Sequence, residues 1–458
     1  MAVEQTLKGA SVLVAGAGMA GLVAARALER RGATVTVIEA RDRVGGRVWT
    51  IRDGFTDGQH AEAGGELIES DHEATLNLAN ELNLHPIPIL SEGFGFYGAS
   101  PKGKTTIQHI AQGFRAMAEP LQALMEEYEH SEQRWDGAVA RHLSRISVAE
   151  WLDAQDAPEW LRQRFRGLRG LFLADPEDLS LLALVDFFCG GAAPGEMFRI
   201  REGNDRLATG VAAELAQPVV MQTSLERLQQ QPTGIVATVD GPGGEHEIRA
   251  DFVVVAIPSS LLWSIDFDPA LPDAQLEAFA RLRTGCATRV LVQFDRRFWA
   301  KRGRPRAFGT DQGYGAVWDA SEKQDGDAAI LSFLAGGRAS REMQAILAEE
   351  DIDGLVRRLD WLGEPANVVA SHTVVWDQDE WARGGYAYFH PGFDPLLRDW
   401  LARPAGRVVF AGEHTSVKWQ GYINGAIESG ERAAAEIAAL HAESRTNGAW
   451  LGKLEAKS

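Results

Sequence analysis

The most restrictive feature of this chain is a set of three glycines placed between a strand and a helix. Ser11-Val-Leu-Val-Ala15 is a short β-branched run, Gly16-Ala-Gly18-Met-Ala-Gly21 follows at once, and Leu22 to Arg30 carries helix-forming residues. Gly32 then leads into a second β-branched run, Thr34-Val-Thr-Val-Ile38. The pattern predicts a β-α-β unit. In such a unit Gly16 permits the tight turn, Gly18 admits a pyrophosphate against the backbone, and Gly21 lets helix approach strand. Met19 and Ala20 open the helix, whose unpaired N–H groups face the phosphates. Glu39 ends the second strand about 20 residues on, where a carboxylate accepts from a ribose 2′-hydroxyl. A dinucleotide site follows, without a choice among dinucleotides.

The 458 residues exceed one ordinary hydrophobic core and leave room for a buried cofactor cavity. A 45% hydrophobic content and a charged quarter (24%) describe a folded globular chain. The net charge of −18, with no basic run, opposes phosphate neutralisation and argues against nucleic acid as a partner. An acidic field favours approach of cations, although solubility is the simpler reason for it. Cys189 and Cys286 are too few for a disulfide framework or a zinc site, so no metal is expected and a cytoplasmic location fits. Met1 to Gly9 has no signal-like apolar core, and the stretch after Ala438 has no membrane-spanning run. No membrane association is expected.

Further along, Glu73 to Leu82, Ile107 to Tyr128, Val148 to Leu152 and Pro158 to Phe172 carry apolar residues at three- and four-residue spacing and predict an inserted helical region. A β-rich stretch is expected from near Val219 through Gly234–Val239 to Phe252–Ile257, with Gly241-Pro-Gly-Gly244 as a hairpin turn. A strand at Thr288–Phe294 follows. Arg407-Val-Val-Phe-Ala411 predicts a last strand, with a helix over Gly425–Leu440. Both ends of the chain thus read as parts of one nucleotide-binding sheet, with other material between them.

Glu39-Ala40-Arg41-Asp-Arg-Val-Gly-Gly46-Arg47 resembles the extended motif of the flavin-containing amine oxidase superfamily, the group of monoamine, polyamine and L-amino acid oxidases. Glu62-Ala-Gly64-Gly65-Glu66-Leu67 is similar to the family segment whose backbone passes close to the flavin ring, where glycines allow close approach. Val219 to Leu228 resembles a strand whose backbone clamps adenine, with Leu225 at the contact; ordinary strand patterning also produces it. Phe410-Ala-Gly412-Glu413-His-Thr-Ser416, followed by Gly421-Tyr422-Ile423-Asn-Gly-Ala426, matches the family's C-terminal cofactor segment. There the resemblance implies Glu413 at the ribityl or pyrophosphate portion and the Tyr422 and Ile423 backbone at the flavin pyrimidine edge.

The resemblance also implies FAD as cofactor and hydride transfer from an amine α-carbon to flavin N5, so that the protein's task is orientation. Two aromatic rings over the flavin would serve it: Tyr422 from the Gly-Tyr pair, and Tyr386 from Gly384-Gly-Tyr-Ala-Tyr388. Tyr388 or Phe389 could take the latter place instead. No cysteine stands in this Gly-Gly segment, so non-covalent FAD is expected. Trp376 resembles a flavin-packing tryptophan, or is one buried indole among the chain's 13 tryptophans. Where amino acid oxidases carry an arginine for the substrate carboxylate, this chain has Glu66-Leu67-Ile68-Glu69, a departure that points to an amine without an α-carboxylate. Glu69 matches a polyamine-oxidase glutamate and would bind a distal ammonium, or is a solvated loop carboxylate. Arg289 stands where the family usually has lysine; it is expected to face the flavin as a fixed charge, or else to lie on the outward face of its strand.

The expected fold is α/β, an FAD-binding Rossmann-like domain of the glutathione-reductase type interleaved with an α+β substrate domain. The boundaries read 8–82, 199–262 and 405–442 for the first, 83–198 and 263–404 for the second, and 443–458 for a tail. The expected function is oxidation of a small primary or secondary amine to an imine, with oxygen reduced to hydrogen peroxide. The rivals are a carbon–carbon desaturase and a non-catalytic flavin scaffold. Oligomeric state, monomer or homodimer, stays open.

Overall fold

The computed structural model describes residues 6–98, 117–189, 196–301 and 304–447. Its organising element is a four-stranded parallel sheet in the order Thr34–Ile38, Ser11–Ala15, Phe252–Val255, Val408–Phe410. Parallel strands are covered on both faces, which is why these segments are nearly continuous Val, Ile, Leu and Phe. Val12 pairs with Phe252 and Val253 with Val408, so one sheet is assembled from segments hundreds of residues apart in the chain. Asp251 Oδ2 fixes the junction by accepting from the Ser11 backbone N–H at 2.7 Å and its hydroxyl at 2.8 Å.

One face of this sheet is covered by the helix Met19–Arg30, against which the C-terminal helix Ile423–Asn447 packs. Their approach depends on Gly430: a Cβ there would lie 2.4 Å from the Ala20 carbonyl oxygen. The C-terminal helix starts two residues earlier and ends several later than its sequence pattern predicts.

The antiparallel sheet formed by Ser224–Gln231, Gly234–Gly241, Gly244–Ala250 and Asp266–Asp268 contains the expected hairpin, turning at Pro242-Gly243. The expected strand start near Val219 is not where pairing with this sheet begins. Val220 instead donates to Val37 O and accepts from Glu39 N, both at 2.9 Å, so this backbone laces onto the end of the second parallel strand.

A six-stranded sheet runs Val368–Val375, Ala287–Phe294, Ala329–Gly336, Ala316–Asp319, Ala307–Thr310, Phe94–Tyr97, antiparallel except for the last pair. Its strand Ala287–Phe294 is buried at every position. Val290, Val292 and Phe294 face a core shared with the helical segment Arg338–Arg357. Leu291 packs against Ile51, Ala61 and Ala63, and Gln293 bonds Thr56 and Gln59. The outward alternative for Arg289 is therefore overturned: the strand has no solvent face, and Arg289 is 4% exposed.

Helices Gln122–His130, Ala138–Leu143, Val148–Ala154, Glu159–Gly167, Arg169–Phe172 and Leu181–Cys189 enclose a separate apolar core. Of the helix expected over Ile107–Tyr128, the part before residue 117 lies outside the described residues. The fold is α/β, a Rossmann-like sheet joined to a larger body of sheet and helices, and among the described residues no helix is long and apolar enough to cross a membrane.

Candidate active site

The C-terminal ends of the parallel strands open into a cavity of about 690 Å³ that continues between the six-stranded sheet and the helical region. At its narrow end the three glycines divide by role. Gly16 holds φ +101, and a Cβ on it would meet Ala256 O at 2.7 Å; one on Gly21 would meet Gly16 O at 1.9 Å. Those two serve close packing, and Gly21 lies off the cavity wall. Gly18 has an ordinary φ of −70, lines the cavity, and has nothing within 4 Å of its Cβ position. A free approach to the backbone at a helix N-terminus is what a pyrophosphate requires, so this cradle fits the expected dinucleotide.

Around the cradle, Glu39 accepts from Ala17 N at 2.7 Å and Arg41 N at 2.9 Å, leaving lone pairs for a ribose hydroxyl. The Arg41 guanidinium is occupied by a bidentate pair with Asp379, at 2.6 and 2.8 Å. Its side chain thus ties the glycine-rich segment to the chain preceding Tyr386. Met19, Ala20, Ala40, Gly46, Leu225, Gly412 and Ala426 line the wall as expected. Trp376 lines the cavity, and its indole donates to Ala63 O at 3.0 Å from a buried position.

Two carboxylates organise the middle of the cavity. Glu413 accepts from Arg47 at 2.9 Å, from Ala387 N at 3.2 Å and from Gly421 N at 2.8 Å. It thereby holds the residue after Tyr386 and the residue before Tyr422. Arg47 donates as well to Gly385 O. The second carboxylate, Glu66, accepts from Arg289 at 3.2 Å and from both Arg199 and the Trp318 indole at 3.0 Å. Arg289 also donates to Ser332 Oγ at 2.7 Å and to Gly64 O at 2.9 Å, and lies 4.6 Å over the Trp318 ring. Burial lowers its pKa, and Glu66 opposes the shift. With two guanidiniums on one carboxylate, the cluster keeps one positive charge beside the cavity.

Tyr386 and Tyr422 both line this region, and Tyr386 lies against Gly421, whose Cβ position is 3.2 Å from Tyr386 Cδ2. The Tyr386 hydroxyl donates to the carbonyls of Gly170 at 2.9 Å and Leu171 at 2.7 Å. Burial raises the pKa of both phenols, so the rings present neutral faces. Tyr422 sits 4.9 Å from the His72 ring, which Trp419 flanks at 4.8 Å. His72 accepts from Glu69 N at 3.1 Å, and its burial lowers its pKa to about 4. Glu69 lines the cavity, half-buried rather than fully solvated; burial, then Asp71, pushes its carboxyl up to about 7. Tyr388 and Phe389 line the cavity too, farther along the same segment of chain.

Gly64, Gly65, Leu67 and Ile423 line the cavity beside these groups, so the structure assembles the expected residues at one site, Gly21 apart. Sequence reasoning missed Arg199, Trp318 and the cavity-lining Phe172, whose ring meets that of Phe187 at 5.1 Å. Arg199 had a signal: a charged residue in the apolar strand Met197–Ile200 needs a buried partner. Phe172 and Trp318 had none.

The architecture and cavity define a class: an α/β protein whose dinucleotide cradle opens into a substrate-sized chamber. The model of the flavin-containing amine oxidoreductase family matches residues 19–438, and the chain belongs to that family. It is an oxidoreductase, and its cofactor is FAD. The L-amino acid dehydrogenase of a Synechocystis strain is 26% identical over 93% of this chain and 94% of its own. A flavin-containing amine oxidase of Oncorhynchus mykiss is 28% identical over 93% of this chain and 85% of its own. The solved structure of cyclohexylamine oxidase from Brevibacterium oxydans superposes with a TM-score of 0.84 at 26% identity, over 94% of this chain and 99% of the other.

Proposed function

We propose that this protein oxidises a small primary or secondary amine to an imine, which water then hydrolyses, with oxygen as the acceptor that becomes hydrogen peroxide. The observation that carries this reading is the pair of neutral tyrosines, Tyr386 and Tyr422, held by the Glu413 bracket in a chamber continuous with the Gly18 cradle. Bound FAD supplies the hydride acceptor at its N5. The residues supply orientation: two apolar ring faces select the uncharged form of the reacting amine and restrict its rotation. Glu69 receives a distal ammonium. Arg289, with Arg199 and Glu66, keeps positive charge near the cofactor ring without a proton to exchange near neutral pH. The segments 8–82, 199–262 and 405–442 form the cofactor domain and 83–198 and 263–404 the substrate domain, between which small ligands enter. Free Cys189 and Cys286 suit a reducing, cytoplasmic setting.

Anaerobic mixing of the holoenzyme with a panel of amines tests the proposal. Bleaching of the flavin by an amine supports it. Bleaching only by an unsaturable hydrocarbon or an alkylphenol would replace it with carbon–carbon desaturation, and no bleaching by either would leave a binding scaffold.

A further inference from the structure

Beyond the tyrosine pair, the cavity has a second polar end that the amine chemistry does not use. Arg398 lines it and is 7% exposed, with its guanidinium stacked 3.7 Å over Trp135 and 5.4 Å from Phe389. It donates to the Val417 carbonyl, while its Nε has no partner among the described residues. Asp186 lines the same end and accepts from the Tyr128 hydroxyl at 2.7 Å on Oδ1 alone. Arg398 and Asp186 attract each other electrostatically yet form no direct ion pair. Val417 is 60% exposed while lining the cavity, which places this end at the mouth. Lys418, the next residue, lines the cavity with its ammonium over the Trp419 ring.

We propose that Arg398 and Asp186 form a subsite near the cavity mouth for a neutral group that both accepts and donates hydrogen bonds, a carboxamide on the far end of the ligand. Each alternative meets a specific penalty. A carboxylate would suit Arg398 but face the charge of Asp186, and an ammonium would suit Asp186 but face Arg398. A purely apolar tail would strip water from both charged groups and return no hydrogen bond. A carboxamide presents its oxygen to Arg398 and its N–H to Asp186, serving two groups that form no direct ion pair with each other. Trp135 and Phe389 supply flat apolar walls for the chain behind it.

The subsite rests on the amine-oxidation reading only for what the other end of the ligand carries, so binding and turnover are measured separately. Holoenzyme is titrated calorimetrically with pentanamide, pentanoate and hexan-2-one, the methyl-ketone isostere of pentanamide that accepts a hydrogen bond but donates none; none of the three carries a reacting amine. Pentanamide should bind roughly tenfold more tightly than either comparator, the value of one or two charge-assisted hydrogen bonds. Arg398→Met should weaken pentanamide and hexan-2-one alike and leave pentanoate the poorest of the three, because Asp186 then repels it unopposed. Asp186→Asn should weaken pentanamide less and bring pentanoate up to it, because the repelling charge is gone. In turnover, the KM ratio of 5-aminopentanamide to pentylamine should be about 0.1 in the native enzyme and near 1 in Arg398→Met. Equal binding of the three probes, or a preference for pentanamide that survives both substitutions, would overturn the subsite. If Arg398→Met fails to fold, the Asp186→Asn titration decides alone. Failure of amine turnover with the amide preference intact would discard the amine reading and keep the subsite.

Discussion

Arg289 meets Glu66 at 3.2 Å inside the cavity wall, and Arg199 holds the other oxygen of the same carboxylate at 3.0 Å. All three side chains are almost fully buried. Arg289 is thus a guanidinium locked between a carboxylate, a hydroxyl and a backbone carbonyl, and a lysine ammonium could not reproduce that fork. Arg289→Ala should slow reoxidation of the pre-reduced enzyme by oxygen and affect anaerobic reduction less. Stopped-flow traces of the two half-reactions check this; unchanged reoxidation would remove Arg289 from the chemistry, and sluggish reoxidation in the native enzyme would favour another electron acceptor.

Glu66 itself carries a stability consequence. Glu66→Leu leaves two buried guanidiniums without their common anion and should cost about 3–5 kcal/mol. Urea denaturation of the native and variant proteins measures it, and a loss below about 1 kcal/mol would mean that the cluster relaxes into solvent.

Gly18 and Gly21 separate a ligand role from a packing role. Gly18→Val has room in the protein and should fold with near-native thermal stability while losing FAD. Gly21 has no such room, because its Cβ position lies 1.9 Å from Gly16 O, so Gly21→Val should fail to fold. Flavin absorbance per chain and a thermal melt distinguish the two. A Gly18→Val protein with full flavin content would refute the cradle.

The flavin should leave intact. Neither cysteine lines the cavity among the described residues, so acid or heat precipitation should release FAD into the supernatant. Yellow colour retained in the washed pellet would show a covalent bond.

Glu69 predicts a pH signature. Its carboxyl titrates near 7, so it is neutral below that pH and anionic above it. Inhibition by a quaternary ammonium compound, whose own charge is constant, should tighten as pH rises through about 7, and Glu69→Gln should flatten the profile. A flat profile in the native enzyme would place the ammonium elsewhere.

How much of this was legible beforehand depends on the range of the interaction concerned. The glycine turn, Glu39, the Gly64-Gly65 pair and the Gly421-Tyr422 step could be read in order along the chain, because each serves its purpose through local backbone geometry. A turn that admits a pyrophosphate needs Gly16 and Gly18 wherever it occurs. The parallel strands could be read for the same reason, since burial on both faces leaves an unbroken apolar run.

What only the tertiary structure decided is which long side chains meet. Arg41 with Asp379 and Glu66 with Arg199 and Arg289 join segments more than a hundred residues apart, while Glu413 meets the backbone beside both tyrosines, at Ala387 and Gly421, through turns that sequence spacing alone does not orient. A charged residue in a strand can be recognised as needing a partner, but its choice of partner is set by sheet register and by the packing of helices on that sheet. Arg289 shows the limit: period-two alternation puts it on the face of Leu291 and Gln293, and only the assembled sheet determines that this face looks inward.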